Sequence, residues 1–197
     1  MPPNRRRHCG GAYADAVIVN AGAGAEAKAR LRREVLASRR SRSPEQRAAD
    51  AESLALHVLD LPELQEPTTA AAYASFGSEP GTGPLLAGLA RRGSQVLLPV
   101  LLVDRDLDWT SPDDVRLGVG AVARARVVVC PGLAADPSGA RLGRGGGSYD
   151  RALARCGADT VRVLLLHDDE LVESVPTATH DQRVHIVVTP SRIMRLR

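Results

Sequence analysis

The sequence predicts a three-layer α/β domain built on a mostly parallel sheet. Three observations carry the prediction. Apolar runs of strand length recur at residues 69–74, 95–103, 127–129, 161–166 and 184–188. Stretches with helical spacing fall between them, at 26–40, 43–59, 84–92 and from Tyr149 onward. Strands that alternate with helices pack as a sheet covered on both faces, because each crossover helix buries its apolar stripe there. Finally, 197 residues with 44% hydrophobic content suffice for one core. With 3% aromatics, that core must be filled by Leu, Val and Ala.

Taken in order, residues 1–25 are rich in Pro, Arg, Gly and Ala without a helical period. They read as a flexible N-terminal extension, leaving 26–197 as a single domain. Asp15 interrupts the short apolar part, which argues against a targeting signal despite Arg5, Arg6 and Arg7. At 26–40 the pattern turns helical, with Leu31, Val35 and Ser38 on one face and Arg30, Arg33 and Glu34 outside it. Ser43 is placed to cap the next helix, Pro44 suits its first position, and Gln46 completes a capping box. That helix runs to about Leu59, turns Ala51, Leu54, Ala55 and Val58 inward, and is ended by Pro62.

Residues 69–74 form a modest strand, and 84–92 a short helix with Gly93 at its C-cap. The run 95–103 is a buried strand ending near Pro99, 107–109 a short strand, and 112–114 a turn. Val127, Val128 and Val129 have the β-branched character of a buried parallel strand, stopped by Pro131 and Gly132. Another buried strand is expected at 161–166, a short helix at 170–172, a loop at 175–181 and a last strand at 184–188.

The net charge of +3 is unevenly placed: residues 1–47 hold 11 of the 26 basic residues and four acidic ones. A solvated basic helix face explains this. The rival reading, a nucleic-acid surface, lacks the interleaved aromatics that stack on single strands, so no nucleic-acid partner is expected. Cys9, Cys130 and Cys156 show no CxxC or metal spacing, and an odd count fits a reducing cytoplasm. No apolar run approaches a membrane span.

The chemistry concentrates in 127–153, VVVCPGLAADPSGARLGRGGGSYDRAL. Four glycines in five residues, Gly143, Gly145, Gly146 and Gly147 around Arg144, follow a strand and precede a helix start at Tyr149. Bare backbone N–H groups in such a loop, at a helix N-terminus, favour phosphate. Arg141 and Arg144 flank it and can add charge-assisted hydrogen bonds. Asp150 lies where a carboxylate could hold the Mg²⁺ of a nucleotide. The string is neither a P-loop nor a dinucleotide fingerprint, and a structural turn is the competing reading. Lys28 is the chain's only lysine. Either composition leaves it there, or its position needs a compact ammonium rather than a guanidinium fork.

The whole string closely resembles the PGLxFDxxGxRLGxGxGYYDR segment of the 5-formyltetrahydrofolate cyclo-ligase (5,10-methenyltetrahydrofolate synthetase) family, and the resemblance extends over about residues 28–190. The run 28–32, KARLR, resembles that family's N-terminal KxxLR. Tyr73 and Glu79, the latter opening a Glu-x-x-Thr string, match its pterin-binding region. Pro176, His180, Asp181 and Thr189 match its closing motif. Read without the resemblance, Glu79 is a solvated turn residue and His180–Asp181 an exposed loop pair.

The resemblance implies a fold like those of CoA transferases and sugar-phosphate isomerases, with the site at the carboxyl ends of the strands. It implies ATP as co-substrate, Mg²⁺ as cofactor, a reduced folate as substrate, and a cytoplasmic monomer. Implied ATP contacts are Lys28, Arg32, Arg141, Gly143, Arg144, Gly145, Gly146, Gly147 and Tyr149. Implied substrate contacts are Tyr73, Ala74, Glu79, Arg144, Gly145, Gly146, Gly147 and Ser148. Lys28, Arg141 and Arg144 act on the transferring phosphoryl group, and Asp150 and Asp181 share the metal. The implied reaction is cyclisation of 5-formyltetrahydrofolate to 5,10-methenyltetrahydrofolate with release of ADP and phosphate.

The chain departs from the family in three places. Ser148 stands for the first of two tyrosines, Ala135 for an aromatic, and a Glu-Pro turn is missing before residue 127. Each lost aromatic contact would cost about 1–3 kcal/mol if it lined the pocket. The alternative is therefore a weak or inactive homologue that only binds folate or nucleotide.

Overall fold

A computed structural model describes residues 12–196. Helix α1 spans Ala12–Arg40 and α2 Pro44–Leu59; strand β1 covers Thr69–Ala71, α3 Gly83–Arg91, β2 Gln95–Leu101 and β3 Leu107–Thr110. Then come β4 (Val127–Pro131), β5 (Ala134–Ala135), β6 (Arg141–Leu142), α4 (Ser148–Ala154), β7 (Val161–Leu165), β8 (Ile186–Val188) and β9 (Ile193–Arg195). Seven strands form one sheet in the order β3-β2-β1-β4-β7-β8-β9. The five central strands are parallel, and β3 and β9 close the edges antiparallel. The predicted α/β architecture is the observed one.

Period-two alternation builds the layers. Val127, Val129, Val163, Leu165, Ile186 and Val188 face one side, where Leu54 and Val58 of α2 and Leu85 and Leu89 of α3 cover them. Val128, Cys130, Leu164 and Val187 face the other, against Trp109, Val122 and Leu153. The Ser43 cap is present, its hydroxyl accepting from the Gln46 N–H. The inward set of α2 is the predicted one with Asp50 added.

Several local expectations need correction. α1 begins at Ala12, not at Glu26, because an alanine-rich stretch propagates helix without needing a buried stripe. The rest of the extension, residues 1–11, lies outside the described residues. β2 runs through Pro99 to Leu101. β1 pairs with it only as far as Leu97, so the missing N–H of Pro99 falls where β2 has a single neighbour. The chain ends in β9, which the sequence reading did not include.

The polar loop at 136–141 is the turn of a ribbon, β5 paired with β6. Asp136 is its clasp. One carboxylate oxygen accepts from the Ser138 N–H (2.8 Å) and Ser138 hydroxyl (2.6 Å), and the other from the Val175 N–H (2.8 Å). Burial alone would raise the Asp136 pKa, but these hydrogen bonds outweigh it and hold the carboxyl below its ordinary value of 3.8. Asp136→Ala is expected to cost about 2–3 kcal/mol, since it strands buried donors. The contribution is complete above pH 3.8 and fades as pH falls through the lowered folded-state value. Equal denaturation midpoints for variant and parent at neutral pH would refute it.

Candidate functional site

One cavity of about 880 Å³ opens at the carboxyl ends of β1 and β4, beside the glycine loop. Every residue singled out above as a site candidate lines it. From α1 come Lys28 and Arg32; from the segment after β1, Tyr73, Ala74 and Glu79; from β6 and the loop, Arg141, Gly143, Arg144, Gly145, Gly146 and Gly147; from α4, Ser148, Tyr149 and Asp150; and from the loop before β8, Asp181.

The charges are arranged as pairs. Lys28 Nζ donates to Asp181 Oδ2 at 2.7 Å, across 153 positions of sequence. A terminal Arg141 nitrogen donates to Asp150 Oδ1 at 2.8 Å, and the other to the Pro131 carbonyl at 3.3 Å. Arg144 reaches Glu79 Oε1 at 3.3 Å and lies over the Phe76 ring, 5.0 Å from its centroid. Arg32 is the excess cation: its Nε donates to the Gly143 carbonyl at 2.9 Å. Desolvation would raise the Asp181 carboxyl, but bonds from Lys28 and the Ala178 N–H prevail and hold it below its ordinary value. An anion entering this site meets four cations within hydrogen-bonding reach of neutral or negative groups it can replace.

The glycines are required where the backbone turns left-handed. Gly145 has φ +100° and Gly147 φ +69°, conformations that a Cβ strains. Gly147 caps α4 without a side-chain bond. Two expectations change here. The loop follows the short ribbon strand β6, not the buried strand β4 directly. α4 has seven residues, so its dipole adds little to anion affinity and the arginines must supply it.

Two tyrosines are more structural than expected. Tyr73 is buried and its hydroxyl donates to the Pro80 carbonyl at 3.0 Å, tying down the loop that carries Glu79. The Tyr149 ring packs against both core layers, and its buried hydroxyl has no partner among the described residues. Burial pushes both phenols well above their ordinary pKa.

Ala135 does not line the cavity. It is fully buried in β5 within the core, so the aromatic missing there is a packing difference and removes no ligand surface. Ser148 does line it. Cys130 is fully buried and burial lifts its thiol to about 11, so it offers no thiolate nucleophile.

The sequence reading missed the apolar wall. Leu98, Pro99, Leu101 and Leu107 of the β2–β3 hairpin line the cavity, together with the 66%-exposed Phe76 under Arg144. Phe76 is the chain's only phenylalanine and lies in the loop after β1, a signal that could have marked it.

Asp150 and Asp181 are close in the fold: Asp150 Oδ1 also accepts, at 3.1 Å, from the N–H of Gln182, the residue after Asp181. Among the described residues no group of three or more His, Cys, Asp or Glu is placed to hold a metal alone. A magnesium site needs only one or two carboxylates when phosphates supply further oxygens, so this donor set fits.

Comparison with known proteins gives the family and the fold. The profile of the 5-formyltetrahydrofolate cyclo-ligase family matches residues 24–190. The 5-formyltetrahydrofolate cyclo-ligase of Mycolicibacterium smegmatis is 35% identical over 185 residues, covering 84% of this chain and 94% of the relative. That of Escherichia coli K12 is 35% identical over 175 residues, covering 79% and 96%. Among solved structures, the Aquifex aeolicus 5,10-methenyltetrahydrofolate synthetase superposes with a TM-score of 0.73 at 26% identity, covering 86% of this chain and 93% of that one. The Mycoplasma pneumoniae synthetase also gives 0.73, at 15% identity, covering 83% and 98%, and so shares the fold. With its profile spanning most of the sequence and relatives a third identical along nearly their whole length, the chain belongs to the 5-formyltetrahydrofolate cyclo-ligase family.

Proposed function

We propose that this chain is an ATP-dependent ligase that closes 5-formyltetrahydrofolate to 5,10-methenyltetrahydrofolate. The observation that carries the reading is one cavity, large enough for a folate beside a nucleotide tail, lined by both cations and apolar side chains. The formyl oxygen on N5 attacks the γ-phosphorus of ATP; the O–P bond forms as the bond to ADP breaks. N10 then attacks the formyl carbon, the C–O bond breaks, phosphate leaves, and N10 loses its proton. Phosphoryl transfer of this kind needs positioning and charge neutralisation more than covalent help.

Lys28, Arg32, Arg141 and Arg144 hold the phosphates over the glycine loop, exchanging their present partners for phosphate oxygens. Lys28, Arg141 and Arg144 also face the transferring group. Glu79 accepts from pterin N–H groups, and the Tyr73–Pro80 bond fixes the loop it stands on. Phe76 and the hairpin leucines exclude water from the ring system. Asp150 and Asp181 would hold Mg²⁺, which supplies positive charge to the phosphate oxygens when bound. The reading places the protein in the cytoplasm as a monomer, consistent with unpatterned cysteines and with no membrane-crossing helix among the described residues.

The direct test mixes protein, Mg-ATP and 5-formyltetrahydrofolate and follows methenyl product and ADP together; absence of both rejects the activity. A second reading keeps binding without turnover, and Ser148 favours it, since the cavity lacks one tyrosine there. Calorimetric binding of folate or nucleotide without product would select it. Asp181→Asn should raise the Mg²⁺ concentration for half-maximal rate about tenfold, the loss of one charged ligand. Unchanged metal dependence would remove Asp181 from the site.

A further inference from the structure

Arg39 is buried at 1% exposure, the least exposed of the charged side chains described on α1, and the reaction above does not use it. Its Nε donates to Glu170 Oε1 at 2.6 Å, and one terminal nitrogen donates to Glu170 Oε2 at 2.8 Å and to the Gly132 carbonyl at 2.7 Å. Glu170, also 1% exposed, accepts in addition from the His167 N–H at 2.9 Å. Neither Arg39 nor Glu170 lines the cavity, but Gly132 does. The two neighbouring carbonyls at the end of β4 are each held by an arginine, Pro131 by Arg141 and Gly132 by Arg39.

Lys28, Arg32, Val35 and Arg39 stand at i, i+4, i+7 and i+11 of α1, which is one helical face. That face meets the protein through four polar ties, one of them the exposed bond from the Ser38 hydroxyl to Asp169 at 2.6 Å, and a small apolar cluster around Val35. Two of the ties, Lys28 to Asp181 and Arg32 to the Gly143 carbonyl, lie in the cavity and are open to competition from an anionic ligand. The Arg39 tie is out of a ligand's reach. A buried ion pair adds little net stability, because desolvation offsets attraction. A planar fork with three directional bonds does fix the rotation and height of the helix that carries it.

We infer that Arg39 is a positioning residue for nucleotide use: its bonds to Glu170 and Gly132 hold α1 at the register from which Lys28 and Arg32 meet the phosphates. This rests on the reading of those two residues as phosphate ligands. The test compares Arg39→Met combined with Glu170→Met, which removes both charges at similar volume, with Arg39→Lys, which keeps the charge but not the fork. In the double variant the thermal midpoint should fall modestly, because the two charges leave together but the buried Gly132 carbonyl and His167 N–H each lose a partner. The KM for ATP should rise about 10- to 100-fold, the scale of a misplacement near 1 Å, while the KM for 5-formyltetrahydrofolate stays within about twofold. Arg39→Lys should move the ATP KM in the same direction, and decides alone if the double variant does not fold. A folded variant with an unchanged ATP KM, or with both KM values rising alike, overturns the inference. Lys28→Ala run in parallel separates the failures. If it leaves the ATP KM unchanged, the phosphate reading falls and the Arg39 role with it. If it raises that KM while the Arg39 variants do not, only the Arg39 role falls.

Discussion

Lys28→Ala should lower kcat/KM for ATP by tens- to thousands-fold, the equivalent of about 2–5 kcal/mol for one partner lost from a desolvated charge pair. The Lys28 side chain is 18% exposed, its ammonium is 2.7 Å from Asp181, and both residues line the cavity. The loss should fall on catalysis more than on folding. Asp181 keeps the Ala178 N–H at 2.7 Å, and a pair with this much solvent contact contributes at most about 1 kcal/mol to stability. Lys28→Arg is the sharper variant. It preserves the charge but brings a longer, planar group to a site where an ammonium now meets Asp181. It should recover little of the lost activity. Should both variants turn over ATP at the parent rate in steady-state assays, Lys28 serves only to pair with Asp181.

Arg141→Met is expected to damage both folding and catalysis. The Arg141 side chain is 3% exposed and holds Asp150 at 2.8 Å, with the Pro131 carbonyl behind it. Removing it strands a carboxylate that retains only the Gln182 N–H. Breaking a buried pair costs 3–5 kcal/mol as a rule; Asp150 is 17% exposed, which keeps this one near the lower end, about 3 kcal/mol. In a chain of this length that lowers the thermal midpoint by roughly 6–12 °C. ATP turnover should fall by at least about a hundredfold even at temperatures where the variant is folded, because a preorganised charge facing the transferring phosphoryl group is lost. Arg141→Lys should restore part of the stability, one charge against one carboxylate, and much less of the rate. A midpoint equal to the parent's would show that the pair carries no folding energy. Unimpaired turnover in the folded variant would take Arg141 out of the phosphate site.

What could be read directly from the sequence was what near neighbours encode. The alternation in Val127, Val128 and Val129 divides their side chains between two core layers whatever the strand order. Ser43 and Pro44 start α2 through bonds reaching three residues along the chain. The glycine run announces left-handed turns, and Gly145 and Gly147 make them. Site candidates named by motif resemblance all line one cavity: the segment after β1 and the glycine loop meet at the carboxyl edge of a parallel sheet, and α1 and the loop before β8 bring Lys28, Arg32 and Asp181 to it.

The tertiary structure alone decided the partners. Lys28 with Asp181 and Arg39 with Glu170 join positions 153 and 131 apart, and no local propensity specifies such pairs. They follow from strand order and from where α1 lies. Ala135 and Ser148 looked like equivalent losses in the sequence, yet one sits in the core and the other in the cavity, because β5 turns inward at the ribbon. The hairpin leucines form a cavity wall only because β2 outruns β1 and leaves one side of Leu98 and Leu101 without a neighbouring strand. Secondary structure and layer assignment depend on a few adjacent residues, so the sequence carries them openly. Which charges meet depends on the packing of the whole chain, where desolvation leaves a buried cation no partner but the carboxylate or carbonyl the fold brings to it.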